Sequence, residues 1–149
     1  MNVDAGCFNN GKTCWGMLIR DDRGLPLFAA SKSEEIQISP TLAEAMGLRW
    51  HLNLAKENRY ENLLIELDAE VVVKCLSGRL KLAEIENVIL DCSNLLSSLC
   101  NTRVSHIGRA KNMEAHSLVG VARNVSSKSW VGNVPNPTAS IVRSEAFFI

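Results

Sequence analysis

The fold is decided by residues 3–30, VDAGCFNNGKTCWGMLIRDDRGLPLFAA, in which three short apolar runs alternate with two polar segments. The runs are Val3 to Phe8, Cys14 to Arg20 and Leu25 to Ala30. The segments between them, NNGK and DDRG, supply the Asn, Asp and Gly residues that tight turns require. This stretch therefore predicts three antiparallel strands joined by two hairpins.

Helical and extended patterns alternate after this meander. The predicted elements are a buried helix over Pro40 to Lys56, a strand over NLLIEL, a short helix over AEVVVKCL, an amphipathic helix over Glu84 to Cys100, a strand over TRVSHI and a last helix over Asn112 to Asn124. The order βββαβααβα predicts an α/β fold with a mixed five-stranded sheet. In this sheet, helical crossovers extend the antiparallel meander with parallel strands.

The composition predicts one soluble domain. At 149 residues the chain is long enough for a single buried core, and 46% hydrophobic with 21% charged residues excludes a disordered chain. From Val125 onward Ser, Asn and Pro cluster without a period. We therefore expect a domain of residues 1–125, followed by a linker and C-terminal tail over residues 126–149. The apolar end, Phe147 to Ile149, is expected to dock on the domain or on a neighbour.

Charge and cysteine usage limit the partners and the compartment. Sixteen Lys+Arg balance sixteen Asp+Glu, so any binding of nucleic acid must depend on a local patch. Five scattered cysteines favour a reducing intracellular compartment, nucleus or cytoplasm, over a disulfide scaffold. No apolar run has the length of a membrane span and no signal peptide is visible, so we expect no membrane association. We expect a monomer.

Three carboxylates, Asp4, Glu44 and Asp68, lie among apolar neighbours in the first strand, the first helix and the end of the fourth strand. Each has a local explanation. Glu44 follows Thr41 by three residues, as in a capping box, Asp68 could cap the next helix, and Asp4 could be an ordinary strand residue.

Their elements would be neighbours in the predicted sheet, however, and clustered carboxylates repel one another unless cations lie between them. Oxygen ligands select Mg²⁺ or Mn²⁺, and two such ions can activate a water and stabilise the leaving oxygen in phosphodiester cleavage. The three carboxylates together therefore indicate a nuclease.

The last helix opens with KNMEAHSLVG, residues 111–120. Asn112 has the position of an N-cap, and Ala115, Leu118 and Val119 recur at helical spacing. His116 thus falls one turn into the helix, at the positive end of the helix dipole, where a cationic side chain is disfavoured. This placement suggests a role other than surface charge, although a histidine half covering the edge of the core is the alternative.

Five motifs in order resemble the ribonuclease H domains, specifically the plant domains similar to those at the end of non-LTR retroelement reverse transcriptases. They cover about the first 125 residues. The motifs are NVDAG (Asn2 to Gly6), WGMLIRDDRG (Trp15 to Gly24), AEAMGLRWHLNLA (Ala43 to Ala55), LLIELDAEVVV (Leu63 to Val73) and HIGRAKNMEAHSLV (His106 to Val119). The resemblance implies a ribonuclease H-like fold and a domain that belongs to a longer reverse transcriptase-like polypeptide.

The resemblance also implies an activity. The family's catalytic, metal-binding acids fall on Asp4, Glu44 and Asp68, and its fourth acid, in a pattern like R-x-x-N-x-x-A-D, falls on His116. The implied function is two-metal hydrolysis, with Mg²⁺ or Mn²⁺, of the RNA strand of an RNA/DNA hybrid. Because a nitrogen replaces the fourth carboxylate, we expect weakened cleavage in Mg²⁺ and partial rescue by Mn²⁺.

Two other functions stay open. The chain could be an interaction module for nucleic acid or protein that keeps this fold without turnover, or a Cys-His hydrolase that uses Cys7 or Cys14. Polar residues near the predicted site are candidates for binding a nucleic-acid backbone, although turn formation explains the first four equally well. These candidates are Asn9, Asn10, Lys12, Thr13 and Asn112.

Overall fold

Six strands form one mixed sheet in the computed structural model, which describes residues 1–136 and 138–146. The strands are β1 (Asn2–Cys7), β2 (Thr13–Arg20), β3 (Pro26–Glu34), β4 (Leu64–Leu67), β5 (Arg103–His106) and β6 (Ser127–Val131). Their order in the sheet is β5-β4-β1-β2-β3-β6. β1 pairs antiparallel with β2 and parallel with β4, so the predicted meander and its parallel extension are confirmed.

The sixth strand corrects the expected count of five. β6 lies within residues 126–149 and pairs antiparallel with β3, with Phe28 opposite Val131. Its sequence, SKSWV, shows little hydrophobic alternation because it is an edge strand, with Trp130 alone packed against Leu18 and Ala29. Backbone hydrogen bonds to β3 supply the rest of its stability, and a sequence pattern does not report them.

Helices cover both faces of this sheet. They are α1 (Pro40–Glu57), α2 (Glu70–Leu76), α3 (Glu86–Ser97), α4 (Met113–Ala122) and α5 (Thr138–Ala146), with one turn of 3-10 helix at Arg109–Lys111. None of these helices combines the length and apolar character that a membrane crossing requires. α5 is the last helix and follows β6, and the predicted docking of residues 147–149 lies outside the described residues.

Alternating residues of β2 divide the core into two layers. Met17 and Ile19 pack in the larger layer with α1 and α3, whereas Leu18 packs in the smaller layer with α4 and α5. This alternation is the period of two that a strand imposes on its side chains. The sheet is therefore buried on both faces, and β1 lies near its centre with a helix layer on each side.

Gly16 brings α4 unusually close to β2. A Cβ atom at this position would lie 2.7 Å from the Ala115 carbonyl oxygen and 2.7 Å from the Leu118 Cβ atom. Only glycine allows the helix to pack directly on the strand backbone at this point. Because Gly16 is paired with Asp4 in the sheet, the close approach also places the first turn of α4 near Asp4.

Alanine at Gly47, on the opposite face, is expected to lower the free energy of unfolding by about 2 kcal/mol. The added Cβ would lie 2.3 Å from Cδ1 of Trp15, a buried side chain whose indole N–H donates to the Ala43 carbonyl at 2.7 Å. The clash outweighs the gain in helix propensity, which is about 1 kcal/mol.

Urea denaturation measures this change. The matched control is Gly120→Ala in α4, where a Cβ meets nothing within 4 Å and alanine should stabilise the helix. Equal stabilisation by both substitutions would contradict the packing of Gly47 against Trp15.

Candidate active site

The central feature is a group of three carboxylates carried by three different elements. Asp4 lies on β1, Asp68 directly follows β4, the parallel neighbour of β1, and Glu44 lies in the second turn of α1. One carboxylate oxygen from each residue lies within 4.8 Å of the oxygens from the other two. The structure thus brings together side chains that are up to 64 positions apart in the sequence.

Helix capping does not explain Glu44 or Asp68. The N-cap of α1 is Ser39, whose hydroxyl oxygen accepts a hydrogen bond from the Leu42 N–H at 3.1 Å. The N-cap of α2 is Ala69, and no side chain caps that helix. Both carboxylates are therefore directed to the cluster and not to the amides of a helix end.

Burial and mutual repulsion make this cluster electrostatically costly. Burial, followed by the charges of Asp4 and Asp68, raises the pKa of Glu44 to about 9. Burial and the charge of Asp68 also raise the pKa of Asp4, although hydrogen bonds from the Ala5 amide and from His116 oppose the rise. The cluster lacks enough positive charge of its own, so three hard oxygen donors at this spacing fit divalent cations such as Mg²⁺ or Mn²⁺.

His116 lies beside this cluster. Its Nδ1 is 3.1 Å from Oδ2 of Asp4, and its side chain is 41% exposed. Among the described residues, the ligand atoms within 4.8 Å of one another are all carboxylate oxygens, so His116 flanks the group through Asp4. Glu114, another acid of α4, is buried and pairs with Arg20 at 3.3 Å.

Two of the five predicted substrate-binding residues, Thr13 and Asn112, are buried and bonded within the protein. The Thr13 hydroxyl donates to the Ile36 carbonyl at 2.9 Å. The Asn112 amide donates to the Val3 carbonyl at 2.8 Å and accepts from Asn2 at 3.1 Å, so neither its nitrogen nor its oxygen is directed to a ligand. Asn112 does occupy the N-cap position of α4, but its side chain does not cap that helix.

The other three predicted residues lie in the hairpin between β1 and β2. Asn9 and Asn10 are exposed, and the Asn10 side-chain oxygen accepts from the Lys12 amide at 3.2 Å, which closes the turn. The Lys12 ammonium donates to the Arg123 carbonyl at 3.3 Å. Side chains of this hairpin are therefore accessible on the surface that continues from β1.

An open depression of about 310 Å³ borders two of the carboxylates. Its walls come from the first turns of α1 and α2, including Thr41 and Glu70, and it is continuous with Glu44 and Asp68. Neither Thr41 nor Glu70 carries a sequence signal for a site. Of the two cysteines considered as nucleophiles, Cys14 is buried, and burial raises the pKa of its thiol.

Comparison with known proteins places this geometry in context. A family model described as reverse transcriptase-like matches residues 2–122. No curated protein matches the sequence. RNase H1 from the halophilic archaeon Halobacterium salinarum NRC-1 superposes with a TM-score of 0.75 at 19% identity, over 82% of this chain and 94% of that one.

Two further solved structures have the same fold. The N-terminal RNase H domain of a Mycobacterium tuberculosis protein has a TM-score of 0.70 and 21% identity, over 84% of this chain and 92% of that one. LC11-RNase H1, isolated from compost, has a TM-score of 0.69 and 23% identity, over 82% of this chain and 94% of that one. The latter structure is a complex with an RNA/DNA hybrid.

Proposed function

The chain belongs to the reverse transcriptase-like family of ribonuclease H domains, and from this membership we propose that it is an endonuclease that binds an RNA/DNA hybrid and hydrolyses the RNA strand. The hybrid bound by LC11-RNase H1, which shares the fold, supports this substrate class. Because positive and negative residues both number 16, binding should be modest and salt-sensitive.

The observation that carries the proposal is the convergence of Asp4, Glu44 and Asp68 within 4.8 Å. These three residues would hold two Mg²⁺ or Mn²⁺ ions. The chemistry supplied by such a bound pair is activation of a water and stabilisation of the leaving oxygen in phosphodiester hydrolysis.

The protein's own residues would position the substrate. The depression beside Glu44 and Asp68 gives a backbone phosphate access to the carboxylates. Asn9 and Asn10 are exposed and could donate to phosphate or 2′-hydroxyl oxygens. The Lys12 ammonium, which donates to the Arg123 carbonyl at 3.3 Å, could exchange that bond for a phosphate.

His116 is proposed as a variant ligand at the edge of the site. Its Nδ1 contacts Asp4 at 3.1 Å, which leaves Nε2 as the ring atom for an ion or for substrate. Nitrogen ligands suit Mn²⁺ better than Mg²⁺. The expected activity is therefore weak in Mg²⁺ and partly restored in Mn²⁺.

Aspartate at position 116 is expected to raise cleavage in Mg²⁺ by about tenfold and to reduce the advantage of Mn²⁺, because it restores an oxygen ligand beside Asp4. Cleavage of a labelled RNA/DNA hybrid by wild type and His116→Asp, with each ion in turn, measures both effects. His106→Asp is the matched control, since His106 is exposed on β5. No gain in Mg²⁺ would show that residue 116 does not serve the site.

A second candidate function is a binding module of the same fold without turnover. The contact of His116 with Asp4 favours it, because an imidazole there competes with a cation for the Asp4 oxygen. Retained binding of the hybrid without cleavage, in Mg²⁺ and in Mn²⁺, would favour the binding module over the nuclease.

Family membership is also the basis for proposing that the domain acts within a longer reverse transcriptase-like polypeptide.

A further inference from the structure

A buried chain of side-chain hydrogen bonds joins the start of α4 to β1. Arg20 donates to the Asn2 side-chain oxygen at 3.3 Å, Asn2 donates to Asn112 at 3.1 Å, and Asn112 donates to the Val3 carbonyl at 2.8 Å. Asn2 and Asn112 are 2% and 1% exposed. Water therefore cannot replace these bonds without a structural change.

The groups at the two ends of this hydrogen-bond series, the Arg20 guanidinium and the Val3 carbonyl, determine which way every bond in it is donated. A guanidinium only donates and a backbone carbonyl only accepts, so each amide between them must donate toward Val3. Both amides thus have one orientation available and the Asn112 side chain cannot rotate to cap α4. This explains why Asn112 occupies the N-cap position without bonding to the helix amides.

Asn112 is bonded to the residue that precedes Asp4 and to His116 itself. Its side chain holds the carbonyl of Val3, the residue before Asp4. Its backbone carbonyl accepts from the His116 N–H at 3.1 Å, the first hydrogen bond of α4. This buried amide therefore contributes to the position of the Asp4 carboxylate relative to α4.

We propose that Asn112 is a positioning residue that fixes the Asp4 carboxylate relative to His116 and thereby sets the affinity of the acidic cluster for divalent cations. This inference rests on the proposed function insofar as the cluster binds cations. Residues that orient a metal ligand without touching the ion typically change metal affinity 10- to 100-fold when removed. The proposal differs from a merely structural role, which would lower stability and leave the affinity unchanged.

Ser31 provides a matched control for such a structural role. Its hydroxyl is fully buried and donates to the Leu118 carbonyl of α4 at 2.7 Å, so Ser31→Ala also removes a buried tether between α4 and the sheet. The two tethers bind the same helix, but only that of Asn112 reaches the strand segment that carries Asp4. Both substitutions to alanine should lower the thermal midpoint.

The experiment compares wild type, Asn112→Ala and Ser31→Ala by calorimetric titration with Mn²⁺ and by NMR of the histidine rings in the ion-free protein. We expect about tenfold weaker Mn²⁺ binding and shifted His116 ring resonances in Asn112→Ala alone. Asn2→Ala, which breaks the next bond in the chain, should have a smaller effect in the same direction and serves if Asn112→Ala does not fold.

The possible outcomes separate the two claims. Unchanged Mn²⁺ affinity and unchanged His116 resonances in Asn112→Ala would overturn the positioning role and leave the proposed function intact. If wild type binds no Mn²⁺, the proposed function fails together with the claim about cation affinity, and the ring resonances then decide whether Asn112 positions His116. Equal loss of affinity in Ser31→Ala would also overturn the inference, since the effect would then be general to α4.

Discussion

Glutamine in place of Glu44 is expected to stabilise the ion-free protein at pH 7 and to reduce hybrid cleavage by about 100-fold or more. Both effects follow from the position of this carboxyl, which is buried and lies beside two other acids. Burial and the neighbouring carboxylates raise the pKa of Glu44 to about 9, from 4.5 for an unperturbed side chain. At pH 7 the folded protein must keep this carboxyl protonated, whereas the unfolded chain ionises it; a neutral amide removes that cost together with a ligand.

The sign of the pH dependence follows from the raised pKa. The pKa of this carboxyl is about 9 in the folded protein and 4.5 in the unfolded chain. Its contribution to the free energy of unfolding is therefore most favourable below pH 4.5 and is lost as the pH rises toward 9. Because Glu44 is partly accessible and shares charge with two acids, we expect a gain of roughly 1–3 kcal/mol for Glu44→Gln at pH 7. Little or no gain is expected at pH 4.

Urea unfolding at both pH values, without divalent ions, measures the gain. Mn²⁺ at 100 times its dissociation constant should stabilise wild type by about 2.7 kcal/mol and the variant by far less. Glu57→Gln is the control, because Glu57 is an exposed residue of the same helix. Loss of stability in Glu44→Gln at pH 7 would contradict the electrostatic strain assigned to the cluster.

Acid is expected to unfold this protein through His51, a fully buried residue of α1. Neither of its ring nitrogens has a hydrogen-bond partner among the described residues, and the ring lies 4.9 Å from that of Trp50. Burial, with a smaller contribution from the charge of Lys32, lowers the pKa of His51 from 6.5 to about 3. The unfolded chain therefore takes up a proton that the folded protein excludes.

Because only the unfolded chain protonates His51 between pH 6.5 and pH 3, the free energy of unfolding falls as the pH is lowered through this range. The full loss corresponds to roughly 5 kcal/mol. The substitution His51→Leu removes both the titration and the unpartnered nitrogens, so it should raise the free energy of unfolding by about 1–3 kcal/mol at pH 7. Its advantage over wild type should grow by roughly 2–3 kcal/mol between pH 7 and pH 4.5.

The difference between variant and wild type cancels the titration of carboxyl groups that both proteins share. His106→Leu serves as the control, since His106 is exposed on β5. An advantage of His51→Leu that stays constant with pH would show that His51 is protonated alike in the folded and unfolded states.

The sequence predicted the part of the fold that local patterns encode. The hairpin turns, the meander and the long buried helix carry strong turn chemistry and periodicity, and their structural bounds differ from the predicted ones by a few residues. The sequence also predicted that Asp4, Glu44 and Asp68 lie close together, because burying an acid in apolar surroundings is costly unless its charge is compensated. The structure adds the distance between them.

Features that depend on a distant partner were not predictable. Thr13 resembles a polar turn residue, yet its hydroxyl is bonded to Ile36 in a segment 23 positions away. Asn112 resembles a helix cap, yet its amide is bonded to Val3, 109 positions away. A local window of sequence contains neither partner, so it does not show that these two side chains are bonded inside the protein.

Because β6 pairs with β3, we expect that the protein needs residues 127–131 to stay in solution. A chain shortened to residue 125 would lack residues 127–131, and β3 would become the border of the sheet. β3 is nine residues long, with a buried apolar centre at Phe28 to Ala30, and its backbone amides and carbonyls would then be free to pair with another molecule. A shortened chain would therefore tend to self-associate. The polar, lysine-bearing β6 covers the edge of β3 and thereby protects the protein from aggregation.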